Sequence, residues 1–352
     1  MKERSDDYQP GNDSDGLAGM AQSGGERLLG SEGRAAAEHG YEFVLHTHPG
    51  LIRPLNEDAV GAAPAAGLYI LADGLGGYNA GEIASTMAVS SLLQSLSAWY
   101  DRACASGESF DPAKVLRDAL VEMNTAIYRA ALNSSAFEGM ATTIVVAWVT
   151  GTCLWVAHAG DSRLYRYRAG HLEQITRDHS FSQELLDAGM VTEEEARVLP
   201  AKNLVTRALG AAVDLEPEVR VYDAQAGDLL LLCSDGLTEM ITAYEIDGLM
   251  AMHDEGLDVV AHHLVDMANE AGGRDNISVV LVRVGQSRRN DELLQTRTQQ
   301  EPSHERAAAA SAVNEGPQTQ GPDTLLPPDS GLFFEYEGQS DGCSDLRVLP
   351  VI

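Results

Sequence analysis

The sequence predicts an α+β fold, a layered α-β-β-α sandwich of two mainly antiparallel sheets flanked by helices. Three observations predict it. Several short strand patterns arrive consecutively between residues 141 and 177, joined by tight turns such as Thr150-Gly151 and Ala169-Gly170, and strands so closely linked pair antiparallel. Long helical patterns fall early and late in the chain, so helices cover the sheets and do not alternate with strands as in a doubly wound parallel fold. The 352 residues, 44% of them hydrophobic, can build a sizeable core, which excludes a wholly disordered chain or a disulfide-held mini-protein.

Taken in order, residues 1–40 are rich in Gly, Ser, Asp and Glu, lack apolar periodicity and read as a disordered acidic leader. They contain no apolar h-region, so they do not read as a secretory signal. Within 41–285, β-rich runs predict strands at 41–47, 68–72, 142–148, 153–159, 164–167, 229–233 and 277–284. The most apolar stretch, 142–159, carries Thr150-Gly151-Thr152 mid-run, which makes it two strands and a turn, not a membrane span. Helices are expected at 80–100, 113–132 and 257–271; in the first, Val89, Leu92, Leu93, Leu96 and Tyr100 form one apolar stripe. Thr192-Glu193-Glu194-Glu195 reads as a further helix start. Six of the thirteen prolines fall in the last 67 residues, so 286–352 reads as a Pro-rich, largely disordered tail, with an aromatic patch at 331–336.

The net charge of −29, of which −19 belongs to 41–285, opposes nucleic-acid binding and anionic membranes, both of which need net Lys/Arg. Four widely spaced cysteines without a CxxC indicate neither a disulfide framework nor a zinc site, and fit a reducing cytoplasm. No internal repeat is visible.

Three core strands end alike, running into Asp73-Gly74, Asp161-Ser162 and Asp235-Gly236, and Asn56-Glu57-Asp58 and Arg274-Asp275-Asn276 also adjoin strand patterns. One Asp-Gly after a strand is an ordinary turn. Several carboxylates converging at strand ends repel one another unless cations neutralise them, and hard oxygen ligands suit Mg²⁺ or Mn²⁺. A two-metal centre able to activate water for displacement at phosphorus is the resulting expectation. Gly74, Gly76 and Gly77 keep the loop free of Cβ atoms, which lets a backbone carbonyl approach a cation.

Arg53-Pro54-Leu55-Asn56-Glu57-Asp58, Ala72-Asp73-Gly74-Leu75-Gly76-Gly77, Gly139-Met140-Ala141-Thr142-Thr143, Gly160-Asp161-Ser162-Arg163, Ser234-Asp235-Gly236 and Asp275-Asn276 occur in one order. In that order they resemble the metal-dependent protein phosphatases of type 2C, bacterial branch, over about 41–285. The resemblance implies a double β-sandwich and hydrolysis of phosphoserine and phosphothreonine in proteins by a metal-activated water. It implies two Mn²⁺ or Mg²⁺ ions, with Asp73 bridging both, Asp235 and Asp275 completing one site, and Glu57 and the Gly74 carbonyl the other. Asp161 with Asp235 resembles the pair holding a third ion, Asp58 a residue that holds a metal-bound water, and Arg53 the phosphate-binding arginine. A monomeric cytoplasmic enzyme that opposes a Ser/Thr kinase is the implied setting. Leu75 and Tyr78 stand where relatives carry histidines, which leaves open the source of the leaving-group proton. The competing expectation is a phosphatase-like module that binds phosphoproteins without turning them over.

Other residues read as structural. His46, His48, His262 and His263 read as surface or core histidines, and Cys233 as a buried strand residue. Arg163 reads as a contact to substrate or as the partner of a nearby acid, and 181–208 matches the family's variable flap.

Overall fold

The computed structural model describes residues 28–29, 34–38, 40–77, 80–107, 110–201 and 204–285. The expectations for the tail, its aromatic patch and Tyr78 lie outside these residues. Two antiparallel sheets stack face to face. The first runs β1 (Leu28–Leu29), β4 (Asp58–Ala63), β5 (Leu68–Leu75), β7 (Ile144–Thr150), β8 (Cys153–Ala159) and β11 (Glu218–Asp223), with short β6 (Ala141–Thr142) pairing β5. The second runs β10 (His171–Gln174), β9 (Arg163–Arg168), β12 (Leu229–Cys233), β13 (Ile277–Val284), β3 (Tyr41–His48) and β2 (Arg34–Glu38).

Period-two alternation assigns each strand two cores. In β5, Leu68, Ile70 and Ala72 pack against α1 (Ala80–Ser106) and α2 (Pro112–Asn133), while Tyr69 and Leu71 fill the space between the sheets. In β12, Leu230 and Leu232 face that same inter-sheet space. Leu229, Leu231 and Cys233 turn outward onto α6 (Ala243–Met250) and α7 (Leu257–Glu270). The layering is α-β-β-α, as the pattern predicts, and Cys233 is a core residue. Between the sheet elements, α3 (Phe181–Asp187) and α4 (Glu193–Val198) form the 181–208 excursion, and α4 opens on a Thr192/Glu195 capping box. Four-residue α5 (Asp235–Thr238) follows β12.

Three strands have no sequence signal strong enough to predict them. Asp58–Ala63 is Gly- and Ala-rich and lacks β-propensity, yet it is zipped to β5 along its whole length. Glu218–Asp223 and His171–Gln174 are edge strands whose polar residues face water, so apolar alternation is weak. The expected leader boundary at residue 40 also falls inside a ladder, because Arg34–Glu38 pairs with β3 and Leu28–Leu29 with β4.

Candidate metal and phosphate centre

Antiparallel register brings the acidic motifs to one end of the sandwich. Asp58 at the start of β4 lies opposite Asp73 near the end of β5. From the end of β8 the chain crosses through Gly160, Asp161 and Ser162 into β9 of the other sheet. There Cys233 lies opposite both Arg163 and Val279, and Ile277 opposite His48, so Asp235 and Asp275 flank the same edge. All six predicted carboxylates therefore belong to one end of the molecule.

A layer of short polar side chains fixes them. The Thr143 hydroxyl accepts from the Asp73 amide at 3.0 Å, and the Thr142 hydroxyl donates to the Asp73 carbonyl at 2.8 Å. Ser234 Oγ donates to Asp58 Oδ2 at 2.8 Å, tying the two sheets together across the site. Asn276 Oδ1 accepts from the Glu57 amide at 2.8 Å, while its Nδ2 donates to the carbonyls of Pro49 and Leu55. The loop that carries Arg53, Glu57 and Asp58 is thereby clamped to the one that carries Asp275. Arg53 Nη2 donates to Asp275 Oδ2 at 2.7 Å with half of its side chain exposed. Glycines set the close approaches: a Cβ on Gly74 would sit 2.2 Å from the Gly81 carbonyl oxygen, and one on Gly81 would sit 2.6 Å from Glu57 Oε1.

Electrostatics mark the cluster as built for cations. Burial, and then repulsion from Asp58, Asp235, Asp161 and Asp275, holds the Asp73 carboxyl well above the usual range. Burial followed by Asp161 does the same for Asp235. Burial pushes Asp58 up to about 6, and burial with Asp178 pushes Asp161 up to about 7. Glu57 Oε1 and Asp58 Oδ1 are buried without a hydrogen-bond partner. Buried oxygens that lack partners and carboxylates that repel one another are what a hard divalent ion satisfies, so the donor set fits Mn²⁺ or Mg²⁺.

A pH dependence follows with a definite sign. A carboxyl whose folded pKa is raised contributes stability that is full below its unfolded value near 4 and lost as pH rises through the folded value. Metal-free protein is therefore expected to melt at lower temperature at pH 8 than at pH 5, the loss running from about pH 4, where the unfolded carboxyls ionise, to about pH 7, where folded Asp58 and Asp161 have done so. Saturating Mn²⁺ should flatten that slope. Thermal melts with chelator and with Mn²⁺ measure it; a metal-free Tm that rises from pH 5 to pH 8 contradicts the electrostatic reading.

Sequence reasoning quoted Thr143, Ser234 and Asn276 within its motifs but gave them no supporting role, and it missed Ser85 of α1, whose hydroxyl donates to the Glu57 carbonyl. For the first three the available signal was polar residues beside apolar strands. Arg163 forms a two-pronged pair with Asp178, as expected of an arginine beside an acid. His46 stacks edge-on against His262, and His48 Nδ1 accepts from the Gly50 amide. Leu75 ends β5 opposite Ala141.

Comparison with known proteins agrees with this architecture. The family model "Protein phosphatase 2C" matches residues 52–271. The chain is 40% identical over 243 residues to the serine/threonine protein phosphatase PstP of Mycobacterium tuberculosis, covering 69% of this chain but 45% of PstP, so it spans about half the length of that relative. It is 38% identical over 252 residues to protein phosphatase PhpP of Streptococcus pneumoniae, covering 70% of this chain and 98% of PhpP. The crystal structure of the PstP catalytic domain in complex with two manganese ions superposes with a TM-score of 0.61 at 35% identity, over 70% of this chain and 99% of that one. With the acidic motifs in their shared order and the two-sheet sandwich that gathers them, the chain belongs to the protein phosphatase 2C family.

Proposed function

We propose that this chain is a metal-dependent phosphatase of phosphoserine and phosphothreonine proteins. The observation that carries the reading is the gathering of Glu57, Asp58, Asp73, Asp161, Asp235 and Asp275 at one sandwich end, with buried oxygens there that lack partners. Asp73, Asp235, Asp275, Glu57 and the Gly74 carbonyl would hold two Mn²⁺ or Mg²⁺ ions, and Asp161 with Asp235 a third; PstP, bound to two manganese ions, supports the metal. When bound, such ions lower the pKa of a water and neutralise charge at phosphorus.

The chain's own residues supply the rest. Asp58, its Oδ2 held by Ser234, leaves Oδ1 free to accept a hydrogen bond from a water and so to aim it. Arg53 presents a half-exposed guanidinium whose planar fork matches two phosphoryl oxygens. No Cys or Ser nucleophile is needed. Leu75 offers no proton to the departing oxygen. The catalytic unit is 41–285, to which the strands Leu28–Leu29 and Arg34–Glu38 add edge pairing.

A Ser/Thr kinase is the source of its phosphoproteins, and it works as a cytoplasmic monomer in signal transduction. No helix among the described residues is long and apolar enough to cross a membrane. Cys153 and Cys233 are free thiols, in keeping with a reducing compartment.

The test is release of phosphate from a phosphothreonine peptide with Mn²⁺ and with chelator. Metal-dependent turnover is expected; tight peptide binding without turnover would replace the enzyme by a binding module. In the same assay Arg53→Ala should raise KM about tenfold or more with kcat little changed, because a charge-assisted clamp present in ground and transition states contributes uniform binding. An unchanged KM removes Arg53 from the phosphate site.

A further inference from the structure

Outside the carboxylate cluster lies a second group of titratable side chains: His158 on β8, His179 ahead of α3, and Glu218 on β11, with donor atoms within 4.8 Å of one another. Glu218 is the cross-strand partner of His158. The two imidazoles stack in parallel, 4.5 Å between centroids and 5° between planes. That stacking argues against a shared cation, which would have to lie in both ring planes at once. The hydrogen bonds settle the tautomers in the same sense. His158 Nε2 lies 2.8 Å from the Arg177 carbonyl, which can only accept, so Nε2 carries a proton. His179 Nδ1 accepts from the Gly160 amide at 3.3 Å, so in the neutral ring the proton is on Nε2. That Nε2 is buried, has no hydrogen-bond partner and lies 3.6 Å from Glu218 Oε2, an electrostatic contact that favours the same tautomer. Burial pushes the His179 pKa down to about 4 and lowers that of His158, so both rings are neutral at pH 7.

His179 thus grips Gly160 from both sides. Its backbone amide donates to the Gly160 carbonyl at 2.9 Å while its ring accepts from the Gly160 amide. Gly160 has a φ of +112°, and a Cβ there would lie 2.6 Å from the Thr143 side chain, so the turn runs hard against the residue that holds the Asp73 amide. The next residue is Asp161, which is buried and electrostatically linked to Asp235. On its other side the His179 carbonyl accepts from the Thr206 amide, and Phe181 and Leu204 are joined by a backbone bond at the base of the 181–205 excursion.

We propose that His179, its ring oriented by Glu218 and stacked on His158, is a positioning residue that sets the Gly160–Asp161 turn for cation binding at Asp161. This rests on the reading of Asp161 as a cation ligand. A ring that fixes the residue before a ligand acts as an outer-shell partner does, and losing such a partner typically costs 10–100-fold in metal affinity.

The experiment is Mn²⁺ titration of the full chain by calorimetry, with Tm and kcat on an aryl phosphate read in parallel, for wild type, Asp161→Asn, His179→Ala, His179→Asn and Glu218→Ala. Asp161→Asn should remove the weakest Mn²⁺ event. His179→Ala should weaken that event about tenfold or more and leave the tighter ones in place. His179→Asn should restore it, since an Asn Oδ1 takes the place of Nδ1 and accepts from the Gly160 amide. Glu218→Ala, at an edge strand, should weaken it less and keeps the test open if His179→Ala does not fold. If Asp161→Asn binds Mn²⁺ as wild type does, the cation role of Asp161 is overturned. If Asp161→Asn loses the event but His179→Ala and Glu218→Ala keep it, or His179→Asn does not rescue it, the positioning role is overturned.

Discussion

Asp73→Asn is expected to lower kcat on an aryl phosphate by about 10³-fold, because several kcal/mol of charge stabilisation at phosphorus depend on the ions it would bridge and each ~1.4 kcal/mol is tenfold. The same change should raise the melting temperature of the metal-free protein. The Asp73 carboxyl is buried against Asp58, Asp235, Asp161 and Asp275, so at neutral pH the empty cluster must hold a proton there that the unfolded chain gives up, which costs stability. An amide of the same shape removes that cost and keeps the backbone contacts to Thr142 and Thr143. The two readouts move in opposite directions, which separates a functional loss from misfolding. Steady-state kinetics with saturating Mn²⁺ and melts in chelator measure them. Near wild-type kcat rejects Asp73 as a metal ligand, and a lower metal-free Tm rejects the repulsion argument.

Gly74→Ala is expected to abolish activity for a different reason. Its Cβ would lie 2.2 Å from the Gly81 carbonyl oxygen and 2.6 Å from the Glu57 carbonyl oxygen, both backbone atoms that cannot rotate away. The start of α1 or the Glu57 loop must shift, and Ser85, which donates to the Glu57 carbonyl, shifts with it. Overpacking of this kind typically costs about 1–3 kcal/mol, or roughly 2–12 °C of Tm at this size. The helix start and Glu57 are then both out of place, so metal affinity falls with stability. Gly77→Ala, where nothing lies within 4 Å of the added Cβ, is the control and should retain both. Equal behaviour of the two variants would show that the close approach at Gly74 has no consequence.

How much of this was legible beforehand differs element by element. The strands 68–72, 153–159 and 229–233 were readable because buried strands are apolar runs that stop at Asp and Gly, and the long helices because one stripe of each is apolar. Asp58–Ala63 was not, since Gly61, Ala62 and Ala63 have little β-propensity and are held by β5, a partner identified only once the chain is folded.

The same division runs through the site. By itself the sequence singled out Glu57, Asp58, Asp73, Asp161, Asp235 and Asp275, because carboxylates beside strand patterns are a local signal, while Arg53 was picked out through the resemblance to the type 2C phosphatases. It also determined the two-sided burial of the strands that deliver them. Only the tertiary structure decided which acids face one another, such as Asp58 opposite Asp73. It alone brought Ser234 to Asp58 across 176 positions, and stacked His158 on His179 beside Glu218. The physical reason is that side-chain periodicity records which face a residue occupies within its own element. Register between strands is set by backbone pairing and by packing of the two sheets, and those contacts join residues that no local pattern connects.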